Sequence, residues 1–276
     1  MKDYQYKLFP YAYNILGSSE DAKDAVQDVL VKHFSSKNKN IKNVKGYLIK
    51  SVVNQAINIK KRNAKITADT IWLPEPLATE KTDDTIISEE IISYSMLVLL
   101  ERLTPKERAV FILKEAFNYS HKEIAETINA TIENSRKLLS RAKLKLEKLN
   151  PKKNQNYSPN TSSYMQEYID AIKNGEVEKL EKMLTEDISL AADGGGEVRV
   201  VRELTLGKRA TLDLLLFVYK TYQRLHTIKI AEMNHQPALL FYENDILVAC
   251  QVFELDNSKI RNVYAVLALN KLKSIL

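Results

Sequence analysis

The stretch from residue 119 to residue 146, YSHKEIAETINATIENSRKLLSRAKLKL, decides the fold of the middle of this sequence. Ser120 and Glu123 have the spacing of a capping box, which begins a helix. Apolar residues then recur on one face until Asn129, where Asn-Ala makes a turn, and Thr131 can cap a second helix. Two short helices joined by a tight turn with a small residue predict a helix-turn-helix.

The second of these helices has two unlike faces. One face carries Ile132, Ser135, Leu138, Leu139, Ala142 and Leu146. The opposite face carries Glu133, Arg136, Lys137, Ser140 and Arg141. A basic outer face is typical of a recognition helix in the major groove, so we predict that these five residues bind DNA. The alternative is an ordinary helical hairpin with a solvated face.

The charge distribution supports a polyanionic partner. The chain of 276 residues has a net charge of +6, with nine basic and no acidic residues between Ser35 and Ala68. Residues 69–90 are acidic, and a second basic block follows between Arg136 and Lys148. Two basic blocks on helical patterns, separated by an acidic segment, favour nucleic-acid binding through counterion release.

Composition excludes several classes of protein. No apolar run approaches the roughly 20 residues of a membrane span, and the N-terminus lacks the apolar core of a secretion signal. Cys250 is the only cysteine, which excludes an intrachain disulfide and a cysteine-rich metal site. We therefore predict a cytoplasmic protein without metal or cofactor, and we interpret Cys250 as a buried small apolar residue.

Residues 1–66 have the pattern of three helices. The first ends at Gly17, and the second is capped by Ser19. The third runs from Val44 to about Asn63. The residues expected to face inward are Ala22, Ala25, Val26, Val29 and Phe34 on the second helix, and Tyr47, Leu48, Val52, Ala56 and Ile59 on the third.

The predicted secondary structure changes after residue 162 from helices alone to a mixture of helices and strands. Helices are expected at about 163–174, 177–184 and 208–222, and strands at 188–192, 198–204, 227–233, 238–242, 246–255 and 259–269. Gly194, Gly195 and Gly196 form a tight connection between the first two strands. The fold class predicted is two all-α parts followed by an α+β domain, with linkers at 67–90 and 151–162.

The helical parts resemble a known family. Leu103-Thr104-Pro105-Lys106-Glu107-Arg108, followed by residues 119–146, is similar to region 4 of sigma-70-family transcription factors, although LuxR-type regulators share a related helix-turn-helix. Glu20-Asp21-Ala22-Lys23-Asp24-Ala25-Val26-Gln27-Asp28-Val29 resembles region 2 of the extracytoplasmic-function group. The resemblance implies a transcription initiation factor with region 2 at 1–66 and region 4 at 91–150.

The same resemblance implies partners and contact residues. The partners are promoter DNA and core RNA polymerase, through its β′ clamp helices and β flap. Asp24, Gln27 and Asp28 match the polar positions that bind the β′ clamp helices. The residues expected at the −10 element, which is melted and read by region 2, are Asn54, Lys60, Lys61 and Arg62. A hydrogen-bonding amide within a basic run suits the capture of flipped bases.

A further resemblance concerns the linker and the C-terminal domain. Trp72-Leu73-Pro74-Glu75-Pro76 matches a subgroup of extracytoplasmic-function factors that carries a SnoaL-like domain instead of a separate anti-sigma partner. The subgroup's Asp-Gly-Gly-Gly-Lys motif stands here as Asp193-Gly194-Gly195-Gly196-Glu197, and its C-terminal motif is reduced to Asn270-Lys271-Leu272. The resemblance implies that residues 163–276 form a cone-shaped domain that regulates the sigma regions through the 72–76 segment.

Two alternatives remain from the sequence. The chain could be a DNA-binding regulator that does not replace a sigma factor, or a pocket enzyme tethered to DNA-binding domains. The acid-base candidates for an enzyme are His226, His235, Asp193 and Tyr264, and both histidines are expected at the surface. We expect no enzyme activity. Whether a small-molecule ligand binds in the C-terminal domain is left open.

Overall fold

The computed structural model of this protein describes residues 2–35, 41–63, 71–79, 89–149 and 161–275. The described residues fall into two compact units. The first unit is helical and contains residues 2–35, 41–63 and 89–149. The second contains residues 71–79 together with residues 161–275. The expected linker at 151–162 lies outside the described residues except for its last two positions, which already belong to a helix.

Seven helices with assigned bounds build the described part of the first unit. They are α1 (Lys2–Leu16), α2 (Ser19–Ser35), α3 (Val44–Asn63), α4 (Tyr94–Leu100), α5 (Pro105–Glu115), α6 (His121–Thr127) and α7 (Ile132–Leu149). The first three pack on one another, and α5 packs against α1, α3 and α7. The three helices expected in residues 1–66 are therefore present, with α3 at its expected bounds.

The start of α2 corrects one expectation. Gly17 ends α1 with a φ of 73°, a conformation that favours glycine, as the sequence predicts. The cap of α2, however, is Ser18, whose Oγ accepts a hydrogen bond from the Asp21 amide at 3.2 Å. Ser19, expected as the cap, is instead the first residue of the helix and is buried.

Two aromatic residues expected in the core lie at the surface. Phe34 is 54% exposed and Tyr47 is 45% exposed, whereas the other expected inward residues of α2 and α3 are buried. Phe34 lies in the last turn of α2 and Tyr47 in the first turn of α3, and both rings lie near His33. Helical periodicity identifies the side of the helix, but it does not say how far along that side a neighbour covers it.

Capping boxes fix two helix starts in the second half of this unit. The Thr104 hydroxyl accepts from the Glu107 amide while the Glu107 carboxylate accepts from the Thr104 amide, and Ser120 and Glu123 repeat the arrangement. The Thr131 hydroxyl accepts from the Asn134 amide at 3.1 Å, so the expected cap of α7 is present. Each cap satisfies amide donors that the first helical turn leaves without intrahelical partners.

The second unit contains one six-stranded sheet with helices on one face. Its elements are α8 (Thr161–Asn174), α9 (Val177–Met183), β1 (Leu184–Asp193), β2 (Thr205–Leu206), α10 (Lys208–Val218), a π-helical turn (Tyr219–Gln223), β3 (Thr227–Met233), β4 (Gln236–Glu243), β5 (Ile246–Asp256), β6 (Lys259–Val266) and α11 (Leu269–Leu272). The strand order is β2-β1-β6-β5-β4-β3. Only β1 and β6 pair in parallel; the other neighbours are antiparallel.

The prediction of a strand at residues 198–204 is wrong. Residues 194–198 form a turn in which the amides of Glu197 and Val198 both donate to the Gly194 carbonyl. The short strand β2, Thr205 and Leu206, follows this range and pairs with β1. Val200 and Val201 instead pack against the core between the sheet and the helices, so their apolar character reflects burial rather than strand pairing.

The helix face of the sheet forms the core of this unit. Tyr168 of α8 meets Phe253 of β5 edge to face, with ring centroids 5.3 Å apart. Leu212 and Leu215 of α10 are also buried in this core. The predicted fold class, two helical parts followed by an α+β domain, is confirmed. No helix in the described ranges is both long and apolar enough to cross a membrane.

Candidate nucleic-acid interface

The recognition-helix candidate α7 presents the expected basic face. Glu133, Arg136, Lys137, Ser140 and Arg141 are all exposed. On the opposite side Ser135, Leu138, Leu139 and Ala142 are buried. Ile132 was expected on the buried side but is 42% exposed, because it occupies the first turn of α7, where the helix face is not covered.

Polar contacts fix α7 against the helices before it. His121 Nδ1 lies 2.9 Å from the Ser135 hydroxyl. Partial burial, together with the nearby charges of Lys114 and Arg136, lowers the pKa of His121. The lowered pKa favours the neutral ring, whose Nδ1 can donate to or accept from the Ser135 hydroxyl.

Ion pairs divide the basic residues of α7 into two groups. Lys145 pairs with Glu107 at 2.7 Å, and Lys143 pairs with Glu115 at 2.8 Å. These two lysines hold α7 against α5. Arg136, Lys137 and Arg141 lie on the exposed face already described, with Lys137 forming an i,i+4 pair with Glu133 at 2.6 Å. The exposed face is the part of α7 that can approach a duplex.

The candidate residues of α3 occupy two kinds of environment. Lys61 and Arg62 are exposed in the last turn of α3. Lys60 is enclosed: its Nζ donates to both carboxylate oxygens of Glu101, at 2.7 and 2.9 Å, and to the Leu16 carbonyl at 2.9 Å. DNA contact by Lys61 and Arg62 is compatible with this arrangement, whereas contact by Lys60 requires its ion pair to break.

Asn54 is also engaged within the first unit. Its Nδ2 donates to the Lys50 carbonyl and to the Thr127 carbonyl, both at 2.7 Å. Thr127 is the last residue of α6, the first helix of the helix-turn-helix. The amide expected to capture a base is therefore occupied here by the backbone of the helix-turn-helix, and base capture by Asn54 stays a prediction.

The candidate polymerase-binding residues share one exposed surface. Asp24, Gln27 and Asp28 lie on α2 and are all exposed. Asp28 Oδ2 accepts a hydrogen bond from Gln55 Nε2 of α3 at 3.3 Å. Residues 24, 27 and 28 lie at i, i+3 and i+4, so they face the same side of the helix.

Residues 71–79, which we call the strap, differ from the linker expected at 67–90. The strap belongs to the second unit, where Leu73, Pro74, Glu75 and Pro76 are buried. Residues 64–70 and 80–88 of the expected linker lie outside the described residues. The proline-bracketed glutamate is thus part of a packed segment rather than a solvated connection.

One end of the strap meets β1 and α11. The Leu73 amide donates to Asp193 Oδ2 at 2.8 Å. Lys271 Nζ donates to the same oxygen and to the Leu73 carbonyl, each at 2.6 Å, and lies 4.2 Å from the centre of the Trp72 ring. The structure thus brings together two sequence-predicted motifs, the 72–76 segment and the Asp-Gly-Gly-Gly segment.

The other end of the strap meets the turn between β3 and β4. Asn234 Oδ1 accepts from the Leu77 amide, and the Leu77 carbonyl accepts from the Asn234 amide, both at 2.8 Å. Ala78 forms an antiparallel bridge with Met233. The Thr79 hydroxyl donates to Glu232 at 2.9 Å and accepts from the His235 amide at 2.8 Å. The strap therefore extends across the sheet from β1 to the β3–β4 turn.

The glycines beside Asp193 are required by close contacts. A Cβ on Gly194 would lie 2.0 Å from the Val198 carbonyl oxygen, and a Cβ on Gly195 would lie 2.8 Å from the Ala268 Cβ. Asp193 Oδ1 accepts from the Gly195 amide at 2.9 Å, which orients the carboxylate toward the strap. Glu197, the position at which this chain departs from the Asp-Gly-Gly-Gly-Lys motif that it resembles, is exposed.

Sequence reasoning missed Lys271 as a strap residue. It is buried and supplies the positive charge that Asp193 meets. The signal was present in Asn270-Lys271-Leu272, the reduced C-terminal motif, but one sequence did not show that this motif folds back onto Asp193.

The four acid-base candidates do not form one catalytic group. The two histidines lie far apart along β3, and Asp193 and Tyr264 are bonded to Lys271 and Glu254. His226 and His235 lie at opposite ends of β3. Tyr264 donates to Glu254 at 3.2 Å, and burial together with that carboxylate raises its pKa well above the usual value. Cys250 is fully buried, and burial raises the pKa of its thiol, as expected of a buried apolar residue. Among the described residues no group of carboxylates, histidines and cysteine could hold a metal ion.

Comparison with known proteins gives two family matches and several relatives. Residues 1–66 match the model described as Sigma-70 region 2, and residues 94–146 match the model described as Sigma-70, region 4. The chain is 25% identical over 222 residues to the ECF RNA polymerase sigma factor SigJ of Mycobacterium tuberculosis, covering 78% of this chain and 70% of the relative. It is 23% identical over 273 residues to the probable ECF RNA polymerase sigma factor SigI of the same organism, covering 93% and 88%.

A solved structure extends the likeness to the C-terminal unit. The crystal structure of the Mycobacterium tuberculosis extracytoplasmic function sigma factor SigJ superposes with a TM-score of 0.80 at 19% identity, covering 99% of this chain and 97% of that one. At this identity the likeness shows a shared fold.

Proposed function

We propose, from the premise that this chain belongs to the sigma-70 family and carries its regions 2 and 4, that it directs core RNA polymerase to −10/−35 promoters. The observation that carries the proposal is the presence of both regions in order, with the polymerase-binding candidates of α2 and the basic face of α7 exposed. A helix-turn-helix regulator that does not replace a sigma factor would need only region 4. The region 2 match therefore disfavours that alternative.

Region 4 supplies duplex recognition at the −35 element. The exposed face of α7 carries two arginines, Arg136 and Arg141, and arginine can bond a guanine edge or a phosphate in two places at once. Lys137 adds charge, while Glu133 can accept from a cytosine amino group. The buried side of α7, held by Ser135 and the Lys145–Glu107 pair, fixes the angle at which this face meets the groove.

Region 2 supplies polymerase binding and promoter melting. Asp24, Gln27 and Asp28 form a polar surface that would bind the β′ clamp helices, while region 4 would bind the β flap. Asn54, Lys61 and Arg62 would hold the melted −10 strand, with the amide bonding a flipped base and the cations neutralising phosphates. No catalytic group is needed for these roles, since the polymerase performs the chemistry.

The C-terminal domain would regulate the factor by holding the strap. In a polymerase complex the acidic linker between regions 2 and 4 would thread the positively charged channel of the enzyme. Residues 71–79 cannot lie in that channel while Leu73 is bonded to Asp193 and Leu77 to Asn234. Release of the strap from the sheet would therefore accompany assembly of the complex.

In vitro transcription tests the proposal. Core polymerase, with and without the chain, would transcribe a pool of genomic fragments, and transcript start sites would be sequenced. We expect chain-dependent starts with shared −10 and −35 elements, and co-purification of the chain with core enzyme. A chain that binds duplex DNA but neither binds core enzyme nor creates new starts, whether full-length or ending near residue 150, would contradict the proposal and favour the regulator.

A further inference from the structure

We propose that regions 2 and 4 of the free chain are held in a closed, autoinhibited state by a buried ionic latch of Lys60, Glu101 and Arg108. The inference rests on the proposed function, because closure matters only to a chain whose two regions must reach separate promoter elements. It assigns a second role to Lys60 and Asn54, both of which are candidate promoter-binding residues.

The latch joins the two regions through one carboxylate. Glu101, directly after α4 in region 4, is bonded to Lys60 of region 2 at 2.7 Å and to the Arg108 guanidinium. Arg108 also reaches back to region 2, where its Nε donates to the Asn14 carbonyl at 2.9 Å. The Arg108 side chain is fully buried, and those of Lys60 and Glu101 are 15% and 19% exposed. The network is therefore shielded from solvent on both sides of the contact between the regions.

Further contacts near the latch also join region 2 to region 4 and to the segment that precedes it. Asn14 of α1 donates from Nδ2 to the Glu90 carbonyl at 2.8 Å, and its Oδ1 accepts from the Ile92 amide at 3.3 Å. Tyr11 of α1 stacks on Phe117 with ring centroids 3.8 Å apart. These contacts link region 2 to the segment entering region 4 and to the turn before α6.

In the same closed state the side-chain amide of Asn54 is occupied by backbone acceptors. An amide side chain has two N–H donors, and both of the bonds that Nδ2 makes go to backbone carbonyls, one of them that of Thr127 in region 4. A base that needs this amide competes with Thr127. Opening of the regions frees the donor, so access of Asn54 to the −10 strand is coupled to the latch.

The dimensions of a promoter require that opening. By their positions the −10 and −35 elements are about 25 base pairs apart, which is ~85 Å of duplex at ~3.4 Å per base pair. Asn54 lies 2.7 Å from the carbonyl oxygen of Thr127, and α7 begins five residues later at Ile132. The closed chain cannot place Asn54 at one element and α7 at the other.

The chemistry of the latch suits a reversible switch. Removal of one partner from a buried charge network leaves the others uncompensated, but separation of the two regions returns all three charges to water together. The closed and open states can therefore differ little in free energy, and a partner that binds only the open state shifts the balance. Core polymerase, bound at two separated surfaces, is such a partner.

A cleavable cross-link tests closure without changing the latch. Tyr11→Cys and Phe117→Cys in the full chain would be joined by a short bismaleimide that carries a reducible disulfide. Cys250 is buried and stays as it is, and each single cysteine variant, treated alike, is the control. We expect the cross-linked chain to lose at least tenfold in chain-dependent transcription with core polymerase on the genomic fragment pool, and to recover on reduction.

Two outcomes of that experiment separate the two proposals. Full activity of the cross-linked chain would overturn the latch while leaving the sigma function intact. Absence of chain-dependent transcription from the untreated wild-type chain would instead be a failure of the proposed function.

A distance measurement with a latch variant completes the test. Spin labels at exposed Lys23 of α2 and Lys122 of α6 report the separation of the regions. We expect one short distance in the free chain and a longer one with core polymerase. Glu101→Gln is expected to raise the ratio of open to closed chains at least tenfold, whereas the control Glu126→Gln, at an exposed position of α6, leaves it unchanged. Equal distance distributions for wild type and Glu101→Gln would contradict the latch, and if Glu101→Gln does not fold, the cross-link result decides.

Discussion

Lys271 Nζ lies 2.6 Å from Asp193 Oδ2, and both side chains are only 7% exposed. The same ammonium bonds the Leu73 carbonyl and lies over the Trp72 ring. Asp193 ends β1, Lys271 lies in α11, and the other two residues begin the strap. One ion pair therefore connects three segments that are 78 and more residues apart in the sequence.

Lys271→Met is expected to loosen the strap. The methionine fills similar space but leaves the Asp193 carboxylate buried without a cation, which costs about 3–5 kcal/mol in comparable buried pairs. Hydrogen exchange of the Leu73 and Leu77 amides measures the release, and urea unfolding measures the loss of stability. Lys273→Met, at an exposed position nearby, is the control. Protection of both amides equal to wild type would show that the pair does not hold the strap.

Release of the strap is also expected to change transcription. If the sheet sequesters residues 71–79, Lys271→Met should increase chain-dependent transcription with core polymerase at limiting factor concentration. The same assay with Lys273→Met gives the baseline. A decrease, with the variant still folded, would mean that the C-terminal domain assists the sigma regions through the strap instead of restraining them.

Arg141→Ala is expected to weaken binding of promoter DNA. Loss of one phosphate contact lowers the slope of log affinity against log salt by about 0.9, whereas loss of a bidentate base contact costs about 1–3 kcal/mol at one position of the site. Titration of holoenzyme on promoter fragments at several salt concentrations separates the two. Arg224→Ala, at an exposed position of the second unit outside both basic blocks, is the matched control. An unchanged affinity and slope would remove Arg141 from the interface.

Ser120→Ala tests the capping box that begins α6. Ser120 and Glu123 each satisfy an amide of the other at this helix start, and loss of such a cap costs about 1 kcal/mol. We expect a lower thermal midpoint for the first unit. Ser163→Ala, exposed in α8 of the second unit, serves as the comparison. If both variants melt like wild type, tertiary contacts such as His121–Ser135 hold α6 without its cap.

The latch is expected to be insensitive to pH near neutrality. Burial of Glu101 opposes its ionisation, but the charges of Arg108 and Lys60 together outweigh burial and hold the pKa of this carboxyl below its usual 4.5. A depressed folded-state pKa contributes stability that is present above the unfolded value and lost as pH falls through the folded value. The label distance should therefore stay constant from pH 8 to about pH 5 and lengthen only in more acidic buffer. Opening between pH 7 and pH 6 would point to a histidine instead.

Local chemistry explains most of what the sequence predicted correctly. The capping boxes, the glycine after α1 and the two faces of α7 follow from contacts within a few residues, so one sequence is enough to read them. Asn244-Asp245 and Asn257-Ser258, all with positive φ, form the turns in the gaps between the strands expected at 238–242, 246–255 and 259–269, where such residues favour tight turns. The errors at Phe34, Tyr47 and Ile132 fall at helix ends, where burial depends on how far a neighbouring element extends.

The sequence by itself determined the two helical regions, their exposed polar surfaces and the α+β character of the last third. Periodicity, caps and charge patterns depend on residues that are close together in the sequence, so they can be read from short segments. Only the tertiary structure decided that residues 71–79 pack on the C-terminal sheet, that Lys271 pairs with Asp193, and that Lys60 and Asn54 are engaged by region 4. In these contacts the two residues are separated by 41 to 198 positions in the sequence. Pairing at such separations depends on how whole elements pack, and local sequence patterns do not predict it.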